Sequence, residues 1–81
     1  MPEIPKIPMF EVESSNIKAA GYEAKSKTFR VAFKAGATYD YMGVPSEVFS
    51  NFMANESKGR FFFANIKGKF ESIKIDMPVN K

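Results

Sequence analysis

An α+β fold, a small antiparallel sheet covered on one face by two short helices, is predicted for this 81-residue chain by three observations. Apolar and polar residues alternate in KTFRVAFK and again in ATYDYM, the period of half-buried strands. A glycine-bearing turn joins those two segments. After them the apolar spacing changes from two to that of a helix, first in VPSEVFSNFM and then in GRFFFANIKGKF.

The first ten residues place Pro2, Pro5 and Pro8 three apart. Proline lacks an N–H and holds φ fixed, so residues 1–11 are expected to form an extended arm. Ile4, Ile7 and Phe10 share the same spacing, which would lay one apolar edge along the domain. Residues 17–24, IKAAGYEA, form a weak first strand. In the second, Phe29, Val31 and Phe33 alternate with Thr28, Arg30, Ala32 and Lys34.

Two hairpin registers connect this strand to the next. A two-residue loop, Ala35-Gly36, would pair Lys34 with Ala37, turn Tyr39 and Tyr41 outward and put Asp40 toward the core. A three-residue loop, Lys34-Ala35-Gly36, would pair Val31 with Tyr39, Phe29 with Tyr41 and Arg30 with Asp40 on the solvent face. The second register is preferred. It places glycine where a left-handed residue is required, whereas the first asks Ala35 for positive φ. It also buries no charge, because a one-residue slip exchanges the two faces.

In the first helix Pro45 stands at the first helical position and Ser46 and Glu47 in the first turn. Val48, Phe49, Phe52 and Met53 form its apolar stripe, and Ser57-Lys58-Gly59 is read as its stop. In the second helix Phe62, Phe63, Ile66 and Phe70 fall on the buried side, leaving Phe61 exposed or at the helix junction. Ile73, Ile75 and Met77 alternate in a short last strand. The sheet is thus a three-strand meander plus a C-terminal strand, residues 12–77 are one domain, and 78–81 are a tail.

Composition bounds the chemistry. A domain this small is expected to have a stability of roughly 4–8 kcal/mol. The chain has nine Phe and three Tyr but no Cys and no His. It therefore has no disulfide, no thiolate, and neither the commonest general base nor the commonest metal ligand. We expect no cofactor, no metal and no catalysis. No apolar run suggests a signal peptide or a membrane span, so a soluble cytoplasmic protein is expected. The net charge is +3, unevenly distributed. Residues 24–39 and 57–70 each carry +4 with no acid, and residues 40–56 between them carry −3 with no base.

The stretch KGRFFF resembles superficially the aromatic strand motif of RNA-recognition domains. The order of elements and the want of a second aromatic strand near the start argue against that fold. More specific is the succession VESSNI from Val12, GY at 21–22, FRVAF, Gly36, YDY at 39–41, VPSEVF and ESKGRFFFANI. In order and spacing these resemble the KTSC domain over about residues 12–70. That domain is found at the C-terminus of some lysyl-tRNA synthetases and as stand-alone small proteins of bacteria or their phages. Its motif positions correspond to Tyr39, Tyr41, Val44, Pro45, Ser57, Gly59, Phe61 and Phe62. The resemblance implies no defined activity, and its synthetase connection suggests RNA binding.

Two functions are therefore carried forward. In the first, RNA or other nucleic acid meets Lys25, Lys27, Arg30 and Lys34 together with Lys58, Arg60, Lys67 and Lys69, with Asn16, Asn65 or Phe61 touching bases. In the second, a protein partner, as for an adaptor or an inhibitor of a host protein, docks on Pro2, Pro5 and Pro8 or on the edge strand at Ile73 and Ile75. An edge-strand homodimer belongs with the second, and a monomer suits either. Ser14, Ser15 and Asn16 are read as a turn whose side chains bond nearby backbone.

Overall fold

A computed structural model of the protein describes residues 7–75. The sheet has five strands, β1 Phe10–Glu11, β2 Ile17–Glu23, β3 Thr28–Phe33, β4 Thr38–Tyr41 and β5 Ser72–Ile75. They follow one another as an antiparallel meander in the order β1-β2-β3-β4-β5. Between β4 and β5 lie α1, Ser46–Ala54, and α2, Lys58–Asn65. The expected positions Pro2, Ile4 and Pro5, strand residues 76–77 and the tail lie outside the described residues. Among those described, no helix is long and apolar enough to cross a membrane.

The β3–β4 hairpin adopts the three-residue loop. Phe29 pairs with Tyr41, Arg30 with Asp40 and Val31 with Tyr39. The Phe33 amide bonds the Ala37 carbonyl at 2.8 Å, and Gly36 takes a φ of 114° that a side chain would strain. Strand β2 contains an irregularity that alternation alone does not reveal. Register shifts between Ile17 and Ala19, so Ile17 and Ala20, three apart, both face the helices. A bulge at Lys18 absorbs the extra residue.

The helix-facing side is a core of rings. Phe29 meets Phe52 edge-on at 5.0 Å and Phe49 at 5.4 Å, while Phe62 meets Tyr41 at 5.3 Å and Phe33 at 5.4 Å. Such edge-to-face pairs suit the ring quadrupole. Val31, Val44, Ile17 and Ile66 fill the spaces between them, all fully buried.

Five expectations are corrected. Pro45 caps α1 with extended backbone instead of entering it, a one-residue difference. Ser57-Lys58-Gly59 opens α2 rather than ending α1. Asn55 makes the break: its side-chain oxygen accepts from the Ser57 amide at 2.8 Å, and its carbonyl accepts from Lys58 Nζ at 2.9 Å. On α2, Phe62 and Ile66 are buried and Phe61 packs half-buried on Phe52 at the helix junction, 6.3 Å between ring centroids, all as expected, but Phe63 is 45% exposed. The helix stops at Asn65, so Phe70 reaches the core through a turn in which Gly68 has a φ of 81° and not through helical spacing.

The fifth correction concerns the other face of the sheet. Residues 10 and 11 of the expected arm form the edge strand β1, and the preceding segment crosses the face away from the helices. Ile7 is buried there, and a Cβ at Gly21 would collide with the Pro8 carbonyl oxygen. The same Cβ would come within 2.9 Å of Ile7 Cγ2 and Met9 Sδ. Gly21 pairs across β3 with Arg30, which pairs with Asp40. The segment thus lies over the row that holds both charges, and that row is not on the solvent. Gly21→Ala is expected to lower stability by about 1–3 kcal/mol, because the added methyl must push a backbone oxygen aside. Urea denaturation measures it; an unchanged midpoint would mean that residues 7–9 do not rest on the sheet.

Candidate nucleic-acid interface

The site is assembled from loops at one end of the sheet and from α2. In the β1–β2 loop, Ser14 Oγ accepts from the amides of Asn16 and Ile17, each at 3.2 Å, the local turn bonding expected of this serine. The Asn16 carbonyl then accepts from the Lys34 amide at 2.8 Å, tying this loop to the β3–β4 hairpin. Gly59, in the first turn of α2, sits so close that a Cβ there would stand 3.2 Å from Ser14 Oγ. Glycine at this position lets α2 approach the β1–β2 loop.

Three contiguous concavities open on this surface, and Phe63 lines all of them. The first, about 380 Å³, lies between the β1–β2 loop and the start of α2 and includes Asn16, Lys58 and Arg60. The second, about 450 Å³, is lined by rings, with Lys67 beside them. The third, about 600 Å³, runs past Asn16, Phe33 and Lys34. Glu13 and Glu56 edge the first, while the other two have no acidic lining residue. Lys67 Nζ stands 5.1 Å from the centroid of the Phe63 ring, a cation–π contact. Within the second concavity, burial pushes the Tyr41 phenol above its ordinary range, partly offset by a hydrogen bond with the Ser72 side chain. Tyr41 is therefore a neutral hydroxyl at physiological pH.

Lys34, Lys58, Arg60 and Lys67, drawn from both basic blocks, thus surround one exposed ring, with Asn16 between two of the concavities. Lys25 and Lys27 do not join them. They sit in the β2–β3 loop, at the far end of β3 from Lys34, roughly 20 Å away along a strand of that length. Lys69 is exposed in the turn after α2, outside the three concavities. Asn65 donates to the Phe61 carbonyl of its own helix at 3.2 Å, and Phe61 packs on Phe52.

Arg30 is corrected outright. It is 2% exposed, its Nε and Nη2 donating to the two Asp40 carboxylate oxygens at 2.7 and 2.9 Å. Alternation placed it on the face away from the helices, as found, but that face is covered. Sequence reasoning missed Phe63; the available signal was Lys67 four residues on, close enough in the chain to bring its cation over the ring. Of the residues considered for docking, Ile73 is 57% exposed and Ile75 half-buried on β5, at the edge of the sheet. Pro8 is exposed, with its carbonyl turned toward Gly21.

A small antiparallel sheet with two helices on one face and loops gathered against the second helix defines the class of domain. Residues 13–70 match the family model of the KTSC domain, and the chain belongs to that family. It is similar to the crystal structure of a KTSC domain protein from Yersinia pestis, with 42% identity and a TM-score of 0.83, covering 88% of this chain and all of that one. A small protein of Tsukamurella paurometabola is 43% identical over 67 residues, 83% of this chain and the whole of that protein. A lysine–tRNA ligase of Nostoc punctiforme is 39% identical over 64 residues, which are 79% of this chain but only 11% of the ligase.

Proposed function

We propose that this chain is a non-catalytic module that binds single-stranded nucleic acid, RNA foremost, on the surface around Phe63. The observation that carries the reading is the convergence of Lys34, Lys58, Arg60 and Lys67 on one exposed ring beside two concavities free of acidic lining residues. A single strand offers phosphates at regular intervals and unstacked bases between them, and cations interleaved with rings match both. The uncapped first turn of α2 adds backbone N–H groups beside Lys58 and Arg60. Similarity to a segment of a tRNA ligase supports the same direction. The Ser14 hydroxyl accepts two backbone bonds, which supports a role in holding the loop.

If four phosphates are engaged, the log–log salt slope for single-stranded RNA should be about −3, a loss of about 50-fold between 50 and 200 mM salt. Fluorescence anisotropy with a labelled mixed-sequence 20-mer measures it. Changing Lys34, Lys58, Arg60 and Lys67 together to Ala should abolish binding with little change in melting temperature, whereas changing Lys25 and Lys27 should leave it near the parent value. Absence of binding at 50 mM salt would defeat the proposal. The exposed Ile73 on edge strand β5 favours a second reading, a protein partner that adds a strand there. Retention of a partner from lysate that survives nuclease and is lost with Ile73→Lys would support that reading instead.

A further inference from the structure

The ring-lined concavity differs in kind from its two neighbours. Phe62 and Tyr41 are almost wholly inaccessible and form its base, while Phe63, exposed, stands at its mouth. Phe33, Tyr39 and Phe70 supply further rings around it. At about 450 Å³ it is within the range of cavities that enclose a small flat molecule. Its polar groups are few: the phenols of Tyr39 and Tyr41, the Ser72 hydroxyl and, at the mouth, the Lys67 ammonium beside the Phe63 face. Hydroxyls among rings and a cation at the entrance suit a flat heterocycle that carries hydrogen-bonding edges and is attached to an anion. An apolar peptide side chain would use the rings but leave the hydroxyls and the cation unmatched.

We propose that this concavity is a subsite for one nucleobase of the bound strand, turned out of its stack and held between the rings of Phe63 and Tyr39. The hydroxyls of Tyr41 and Ser72 meet its polar edge, and Lys67 meets the adjoining phosphate. The inference rests on the nucleic-acid reading and adds to it: Lys34, Lys58 and Arg60 hold the backbone, and the subsite makes the base itself count. Affinity then depends on the presence of bases as well as on charge.

The test compares the full chain binding a single-stranded RNA oligomer and an abasic ribose-phosphate oligomer of equal length, and titrates ¹⁵N-labelled protein with uridine and adenosine monophosphates and with ribose 5-phosphate. The subsite predicts at least tenfold weaker binding of the abasic oligomer. It also predicts saturable shifts of the Tyr39, Tyr41, Phe63 and Ser72 amides with the nucleotides but not with ribose 5-phosphate. Ser72→Trp, which fills the concavity from the exposed strand β5, should remove those shifts and weaken RNA binding about tenfold toward the abasic level. Phe63→Ala, at an exposed ring, provides the same comparison if Ser72→Trp does not fold.

Equal affinity for RNA and abasic oligomers, with no nucleotide shifts at these amides, would overturn the subsite while leaving salt-dependent strand binding standing. Shifts produced by N-acetylphenylalanine amide and not by nucleotides would overturn it in favour of a peptide side chain. An oligomer that does not bind at low salt would overturn the strand reading and the subsite together.

Discussion

Asp40→Ala is expected to cost about 3–5 kcal/mol, enough to leave the domain largely unfolded at moderate urea concentration. The carboxylate accepts two bonds in parallel from one guanidinium, Nε at 2.7 Å and Nη2 at 2.9 Å, and both side chains are almost completely inaccessible. A bidentate pair of this kind is strong because the planar fork of arginine matches the carboxylate. Its removal is costly for a different reason: the guanidinium stays in place, surrounded by protein, after the anion opposite it has gone. Against an expected stability of roughly 4–8 kcal/mol for a domain of this size, that loss is most of the total.

The partner replacement separates these causes. Arg30→Met with Asp40→Leu removes both charges and keeps apolar volume, so it should recover much of what Asp40→Ala loses. The ionic strength of the buffer should matter little to the single variant, since buried pairs are weakly screened. A loss below 1 kcal/mol that shrinks with added salt would instead describe an exposed pair, and the cover provided by residues 7–9 would have to be abandoned.

This pair also marks the limit of what could be read from the residues alone. Turn chemistry at Lys34-Ala35-Gly36 predicted the register, and with it Arg30 opposite Asp40, because positive φ is cheap only at glycine. Alternation assigned both to the face away from the helices, correctly. It could not say that the face was covered: the three-residue period of the arm put Ile7 along the domain, but nothing in that period said against which face. Gly21 was the available signal: a glycine inside a strand often marks a close approach of another backbone. The edge strand at Phe10–Glu11 escaped for a related reason, since two residues are too few to show alternation. The bulge at Lys18 obscured β2 by putting Ile17 and Ala20 on one face at an odd spacing.

The surface around Phe63 was legible in part. The two basic blocks were visible as charge, but a chain carries no record of which block members end at the same end of the sheet. Strand direction decides that: Lys34 follows β3 beside the β1–β2 loop, whereas Lys25 and Lys27 precede β3 at the opposite end. Arg30, between them, points into the covered face.

Phe62→Ala and Phe63→Ala should separate as sharply as adjacent residues of one type can. On a helix each residue turns about 100°, so Phe61 and Phe63 flank Phe62, and Ile66 draws the apolar stripe toward Phe63, which is why spacing favoured the wrong ring. The choice falls to the neighbours. Phe61 lies toward Phe52 of α1, and Phe63 is left at the surface beside Lys67. Phe62 touches the rings of Phe29, Phe33 and Tyr41 and is fully buried. Its truncation removes those contacts and leaves a cavity at the centre of the sheet–helix interface, an expected loss of about 3–5 kcal/mol in urea denaturation. Phe63→Ala should change stability by less than about 1 kcal/mol, because a half-exposed ring leaves no closed cavity. The same substitution should weaken RNA binding about tenfold, since base stacking on a ring is worth about 1–3 kcal/mol. The two variants therefore move different observables, one the folding midpoint and the other the affinity. Equal stability losses at both positions would mean that Phe63 is a core ring, and the surface built around it would lose its centre.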